Sequence, residues 1–216
     1  DRVYLAVVAG AVVASGAYEW ALLVRMQGGR AILYALACTA IYAAIAALSW
    51  PIAASTAPIP AILIVALAFW ALAVPAWLSR GLQSSSQALL SAAGIVVLVP
   101  AGLAMVALPA WLMLAILGLV WISDTAAYFV GRAFGRHKLA PTVSPGKTIE
   151  GAEGAEVASV VYAAILAAAL PATGQLVKGL AWVLYAGAAV AQCVLGIVGD
   201  LFESLAKRHA GDKDSG

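Results

Sequence analysis

The chain has 216 residues, 64% of them hydrophobic and only 10% charged, with a formal net charge of +2 and a mean hydropathy of +1.00. A soluble domain carries about 25% charged residues, and no water-soluble fold of this size hides so much apolar surface. A soluble globular protein is therefore excluded, and the composition implies an all-α, polytopic membrane bundle. Seven apolar segments follow in chain order, over roughly 3–24, 31–50, 59–78, 87–107, 110–131, 155–171 and 177–199. Each approaches the ~20 residues that carry a helix across a bilayer. Backbone groups in lipid must be satisfied within their own segment, so helices are expected throughout.

The basic residues orient these spans. Arg25 and Arg30 follow the first, Arg80 the third, Arg132, Arg136, Lys138 and Lys147 the fifth, and Lys207, Arg208 and Lys213 the seventh, whereas the alternate turns hold only Arg2 and Lys178. The positive-inside rule makes the first group cytoplasmic, so a site built on those loops is expected to face the cytoplasm. Trp20, Trp50, Trp77 and Trp111 stand near segment ends, as interfacial belts do. Cys38 and Cys193 lie inside apolar runs and read as buried thiols rather than a disulfide. Asp1 shows neither an initiator Met nor a signal-peptide pattern, and the chain stops in the polar stretch 212–216, so both ends read as fragment boundaries. A single catalytic domain over 1–216 is expected, with the chemistry in the cytoplasmic loop 132–154 and the tail 200–216.

Three places carry chemistry. Asp124 lies seven residues before the expected inner end of the fifth span, about 10 Å below the surface at 1.5 Å per residue. A carboxylate there costs roughly 2.5–3.5 kcal/mol on insertion scales. It requires a water-filled cleft, where it would act as a metal or substrate ligand, or a buried arginine as packing partner. In Gly199-Asp200-Leu201-Phe202-Glu203-Ser204-Leu205-Ala206-Lys207-Arg208, helical spacing sets Asp200, Glu203 and Lys207 on one face with Arg208 beside it. Hard carboxylate oxygens there suit Mg²⁺ and a polyphosphate substrate, or else form a solvated amphipathic tail. In the loop His137 to Gly151, Gly146-Lys147-Thr148 looks like the end of a Walker A loop. That pattern needs glycine at 141, where Pro141 stands, and a preceding strand, so a P-loop is rejected. Gly146 still permits close backbone approach to phosphate, Lys147 supplies charge, and Ser144 and Thr148 supply donors; a basic loop gripping lipid headgroups has the same composition. Gly131 and Gly135 form a G-x-x-x-G pair, read as helix packing.

Together these blocks resemble one family. Asp124-Thr125-Ala126-Ala127-Tyr128-Phe129-Val130-Gly131-Arg132 is similar to the D-[ST]-x-A-Y block of phosphatidate cytidylyltransferases. His137-Lys138-Leu139-Ala140-Pro141 through Ser144-Pro145-Gly146-Lys147-Thr148-Ile149-Glu150-Gly151 resembles their HKLAP…SPGKTxEG block. Gly199-Asp200 through Lys213-Asp214-Ser215-Gly216 resembles the start of their C-terminal signature, and Glu19-Trp20 an early EW pair. The resemblance implies an integral membrane enzyme that makes CDP-diacylglycerol and pyrophosphate from CTP and phosphatidic acid with Mg²⁺, at a membrane lipid surface. A homodimer is expected on the family alone, with no nucleic acid among the partners. It implies Asp200, Asp124 and Asp214 as metal-binding acids, Lys147 on the CTP phosphates with Ser144, Gly146 and Thr148 assisting, Lys207 and Arg208 on phosphate, and Glu203 as a supporting acid. It also implies a span before Asp1 and a PGHGG…DR segment after Gly216 whose aspartate completes the metal site. The activity expected is thus that of the longer enzyme. A transporter or channel with an intramembrane acid is the alternative; it predicts a midplane site and inverted repeats, and no repeat is visible.

Overall fold

A computed structural model describes residues 2–53, 55–82, 85–170 and 178–211. Among the described residues, seven helices are long and apolar enough to cross a membrane: α1 (Arg2–Leu23), α2 (Gly29–Leu48), α3 (Ile59–Arg80), α4 (Gln87–Ala107), α5 (Ala110–Phe134), α6 (Ile149–Ala169) and α7 (Leu180–Ala210). The protein is a multi-pass, all-α membrane protein. The one sheet among the described residues is a short antiparallel hairpin, β1 (Lys138–Ala140) and β2 (Ser144–Thr148), between α5 and α6.

Two boundaries differ markedly from the sequence reading. The sixth span begins at Ile149, not near 155. Thr148 is its N-cap: the hydroxyl accepts from the Gly151 N–H at 3.1 Å, satisfying one of the donors that a helix start leaves open. Glu150 in the first turn also suits the positive end of the helix dipole. The loop expected over 132–154 is accordingly the end of α5, a hairpin and the start of α6. The seventh span does not stop at 199, because the Asp200–Arg208 block continues the same helix to Ala210. Within α3, a π-turn spans Phe69–Ala73, with the Val74 N–H reaching back to the Phe69 carbonyl. Pro75 follows directly. It lacks an N–H and crowds the carbonyl four residues back, and the wider turn accommodates it.

The chain forms two compact units, Asp1–Ala110 with Leu205–Gly216, and Trp111–Ser204. In the first, α1 packs on α2 and α4 around Ala9, Val13, Ala17, Cys38, Tyr42 and Leu103. Trp20 is turned inward rather than serving only as an interfacial belt: its indole N–H donates to the Leu90 carbonyl at 2.9 Å, and Tyr34 Oη donates to the Ser91 carbonyl at 2.7 Å. A side chain at Gly94 would collide with the Trp20 ring and the Tyr34 hydroxyl. Ser86 caps α4 by accepting from the Leu89 N–H at 3.2 Å. Cys38 and Cys193 are both free and buried.

In the second unit, Leu119, Ala163 and Ala189 form a small core flanked by Tyr162 and Tyr185, and Gln192 Nε2 donates to the Ile116 carbonyl. The α5–α6 crossing is tighter. A Cβ on Gly151 would lie 2.8 Å from the Ala127 carbonyl oxygen and 3.3 Å from Gly131 Cα. The two backbones touch there because neither position carries a side chain, which is the packing use of small residues in membrane helices.

Candidate active site

The glycine crossing and the hairpin together set the candidate site. β2 leads directly into the capped start of α6, so the hairpin is fixed at the helix end. Its other end is held by Glu150. The carboxylate accepts from the Arg136 backbone N–H at 3.1 Å, from the His137 N–H at 3.2 Å and from His137 Nδ1 at 2.7 Å. A carboxylate can only accept, so Nδ1 carries the proton in that bond. The Ile149 N–H closes the same ring by donating to the His137 carbonyl at 2.9 Å. The residues that follow α5 and the first turn of α6 are thereby tied by one side chain.

That tie places Lys147. From β2 its Nζ reaches Asp200 Oδ2 on α7 at 2.6 Å, and Asp124 on α5 faces the same space. All three line one cavity of about 660 Å³ with Gly146 and Thr148. No arginine salt bridge to Asp124 exists among the described residues, so the packing-acid reading lacks its partner. Gly131 and Gly151 also line the cavity: with no side chains there, the crossing doubles as its wall.

Other residues singled out from sequence are placed differently. Ser144 begins β2 half-buried and does not line the cavity. Glu203 is exposed on α7 and does not line it either. Lys207 and Arg208 fall on the last turns of α7, in the part of the chain that clusters with the first unit. Asp214 lies outside the described residues. Gly146-Lys147-Thr148 lies within a strand, which reinforces the rejection of a P-loop.

Two lining residues escaped the sequence-based assignment of roles. Tyr128 and Arg132 follow Asp124 at i+4 and i+8 on α5, and all three line the cavity. Arg132 Nη1 donates to Tyr128 Oη at 2.9 Å. The signal was present as helical periodicity counted onward from Asp124.

Among the described residues, no group of three or more His, Cys, Asp or Glu side chains is placed to hold a metal ion. The donors that do line the cavity are the two carboxylates of Asp124 and Asp200. Mg²⁺ in nucleotide sites is held through one or two carboxylates together with substrate phosphate oxygens and water, so this pair fits Mg²⁺ brought with a polyphosphate.

The sequence matches the cytidylyltransferase family over residues 1–216. It is 40% identical over 226 residues to a phosphatidate cytidylyltransferase of Pseudomonas aeruginosa, an alignment covering all of this chain and 78% of that one. It is 42% identical over 105 residues to the enzyme of the same name from Haemophilus influenzae, covering 49% of this chain and 36% of that protein. For the Bacillus subtilis protein of that name the figures are 40% over 99 residues, 45% and 34%.

Proposed function

The chain belongs to the cytidylyltransferase family, and from that premise we propose that it transfers the cytidylyl group of CTP to phosphatidic acid, giving CDP-diacylglycerol and pyrophosphate. A phosphate oxygen of the lipid attacks the α-phosphorus of CTP. The new P–O–P bond forms as the α–β bridging bond breaks, and pyrophosphate leaves with that oxygen. Both reactants are anions, so the site must neutralise charge and align the groups, and catalysis is chiefly positioning and electrostatics. The observation that carries the reading is the meeting of Lys147 with two carboxylates, Asp200 and Asp124, in one cavity.

Lys147 holds the CTP phosphates, exchanging its bond to Asp200 for phosphate oxygens. The Thr148 hydroxyl accepts from Gly151 and keeps its own hydrogen to donate to phosphate. Gly146, with open space where a Cβ would sit, lets the strand backbone approach the nucleotide. Asp124 and Asp200 are the residues that would hold Mg²⁺, which when bound offsets the charge on the phosphates. The site faces the cytoplasm of the inner membrane, where CTP is found, and the protein acts as a homodimer with no nucleic-acid partner. The family match does not favour a transporter or channel.

The test is incorporation of label from [α-³²P]CTP into lipid by the full-length protein in phosphatidate-containing liposomes, with and without Mg²⁺. Label should enter lipid only with Mg²⁺ present, and Asp200→Asn should abolish it. A wild-type rate in Asp200→Asn would refute the assignment of that residue.

A further inference from the structure

Resting on that reading of the cavity, we propose that its Tyr128–Arg132 end is the subsite for the phosphomonoester of the lipid, and that the Asp124–Lys147–Asp200 end takes the nucleotide. On α5, Asp124 and Arg132 are eight residues apart on one face, about 12 Å along the axis. Both line the cavity, with Tyr128 between them. The lining cations differ in how they are committed. Lys147 is paired with Asp200 at 2.6 Å. Arg132 forms no salt bridge among the described residues and donates to a neutral phenol oxygen.

That arrangement suits a phosphomonoester. Its charge approaches two at neutral pH, and the planar guanidinium can meet two of its oxygens side by side. Tyr128, having accepted from Arg132, still has its hydroxyl hydrogen to give to a third. The carbonyls at the end of α5 repel an anion, so a ligand phosphate here requires a cation, and Arg132 supplies one in the last turn.

Position distinguishes the two substrates. Arg132 is two residues from the end of α5 at Phe134, where a membrane helix reaches the interface. A lipid phosphate is held at that level by its acyl chains, whereas a nucleotide has no such tether. Phe129 and Phe134, 63% and 68% exposed, put apolar surface on the same stretch of helix, where glycerol and the first acyl carbons would lie.

The test uses the purified full-length protein in nanodiscs. Initial rates are measured against phosphatidate at saturating CTP, and against CTP at saturating phosphatidate. Arg132→Gln should raise KM for phosphatidate about tenfold or more and leave KM for CTP within about twofold. Arg132→Lys, which keeps the charge and loses the fork, should fall between. A rise confined to CTP, an equal rise for both, or no change overturns the subsite. A second arm omits catalysis: dihexanoyl phosphatidic acid is titrated calorimetrically without CTP. Its binding should weaken in Arg132→Gln and persist in Lys147→Met; undiminished binding in Arg132→Gln overturns the proposal. A wild-type protein that forms no CTP-dependent lipid product would sink the transferase reading, while the titration still decides whether this end of the cavity binds a lipid phosphate.

Discussion

Lys147 and Asp200 lie 53 positions apart and meet at 2.6 Å, with side chains 29% and 53% exposed. A pair that open to water contributes about 0–1 kcal/mol to stability, so its geometry is better explained by what it does than by what it holds up. Lys147→Ala should accordingly shift the melting temperature by no more than about 3 °C and cut kcat/KM for CTP by about a hundredfold or more. Lys178→Ala, on the opposite side of the membrane by the charge pattern, should leave CTP use unchanged. Steady-state kinetics beside thermal unfolding in detergent check both, and equal losses from the two changes would undo the topology or the site. The acid and the lysine were legible as residue types: an aspartate inside an apolar run, and a Gly-Lys-Thr beside prolines. Their partnership was not, because no spacing rule links a strand residue to a helix so far along the chain. Arg132 was visible too, as part of a family block, but its place in the cavity emerges only once α5 is known to run past it to Phe134.

At the scale of elements, the hairpin and the start of α6 were the least legible part of the fold. The stretch 132–154 reads as a polar cytoplasmic loop, with the sixth span placed only from about 155. The structure resolves this through Thr148, whose cap starts the helix early, and through glycines that face α5. Two predictions follow from how these pieces are held. Glu150→Ala removes the acceptor shared by the Arg136 and His137 N–H groups and the His137 ring. Amide exchange over 136–148 should speed up, and kcat/KM should fall about tenfold, the loss of a charge-assisted hydrogen bond or two. Glu150→Gln, which keeps one acceptor oxygen, should be milder; exchange rates unaltered in Glu150→Ala would show that the clasp is not what orders the hairpin. Gly151→Val sets a side chain against the Ala127 carbonyl, which as backbone cannot swing aside. It should destabilise the fold by about 1–3 kcal/mol, whereas Gly196→Ala, with open space around the new methyl, should stay within about 0.5 kcal/mol of wild type; both are read from detergent melting curves.

For the whole molecule, the apolar runs located all seven helices because the bilayer itself sets their length. They set α4 at both its ends, 87 and 107, and missed chiefly the start of α6, which the Thr148 cap decides, and the end of α7, which runs eleven residues past 199. The alternation of basic and nearly uncharged turns makes a direct prediction of orientation. Single cysteines introduced at 136 and at 178, in a Cys38→Ala/Cys193→Ala background, should react with a membrane-impermeant maleimide from opposite sides. Position 136 should label in inverted vesicles and position 178 in intact cells with a permeabilised outer membrane. Labelling of both from one side would contradict an odd number of crossings between them.

Where Gly131 meets Gly151, main chain bears on main chain, and little can be compressed between two such surfaces. A thicker or thinner bilayer tilts helices by acting on their far ends, and a scissor joint moves least at its rivet. The lining of the cavity is built around that rivet, with Thr148 against it and Lys147 one residue away. The reaction centre should therefore keep its dimensions while the surrounding lipid changes, a useful property for an enzyme whose own product feeds the membrane in which it sits.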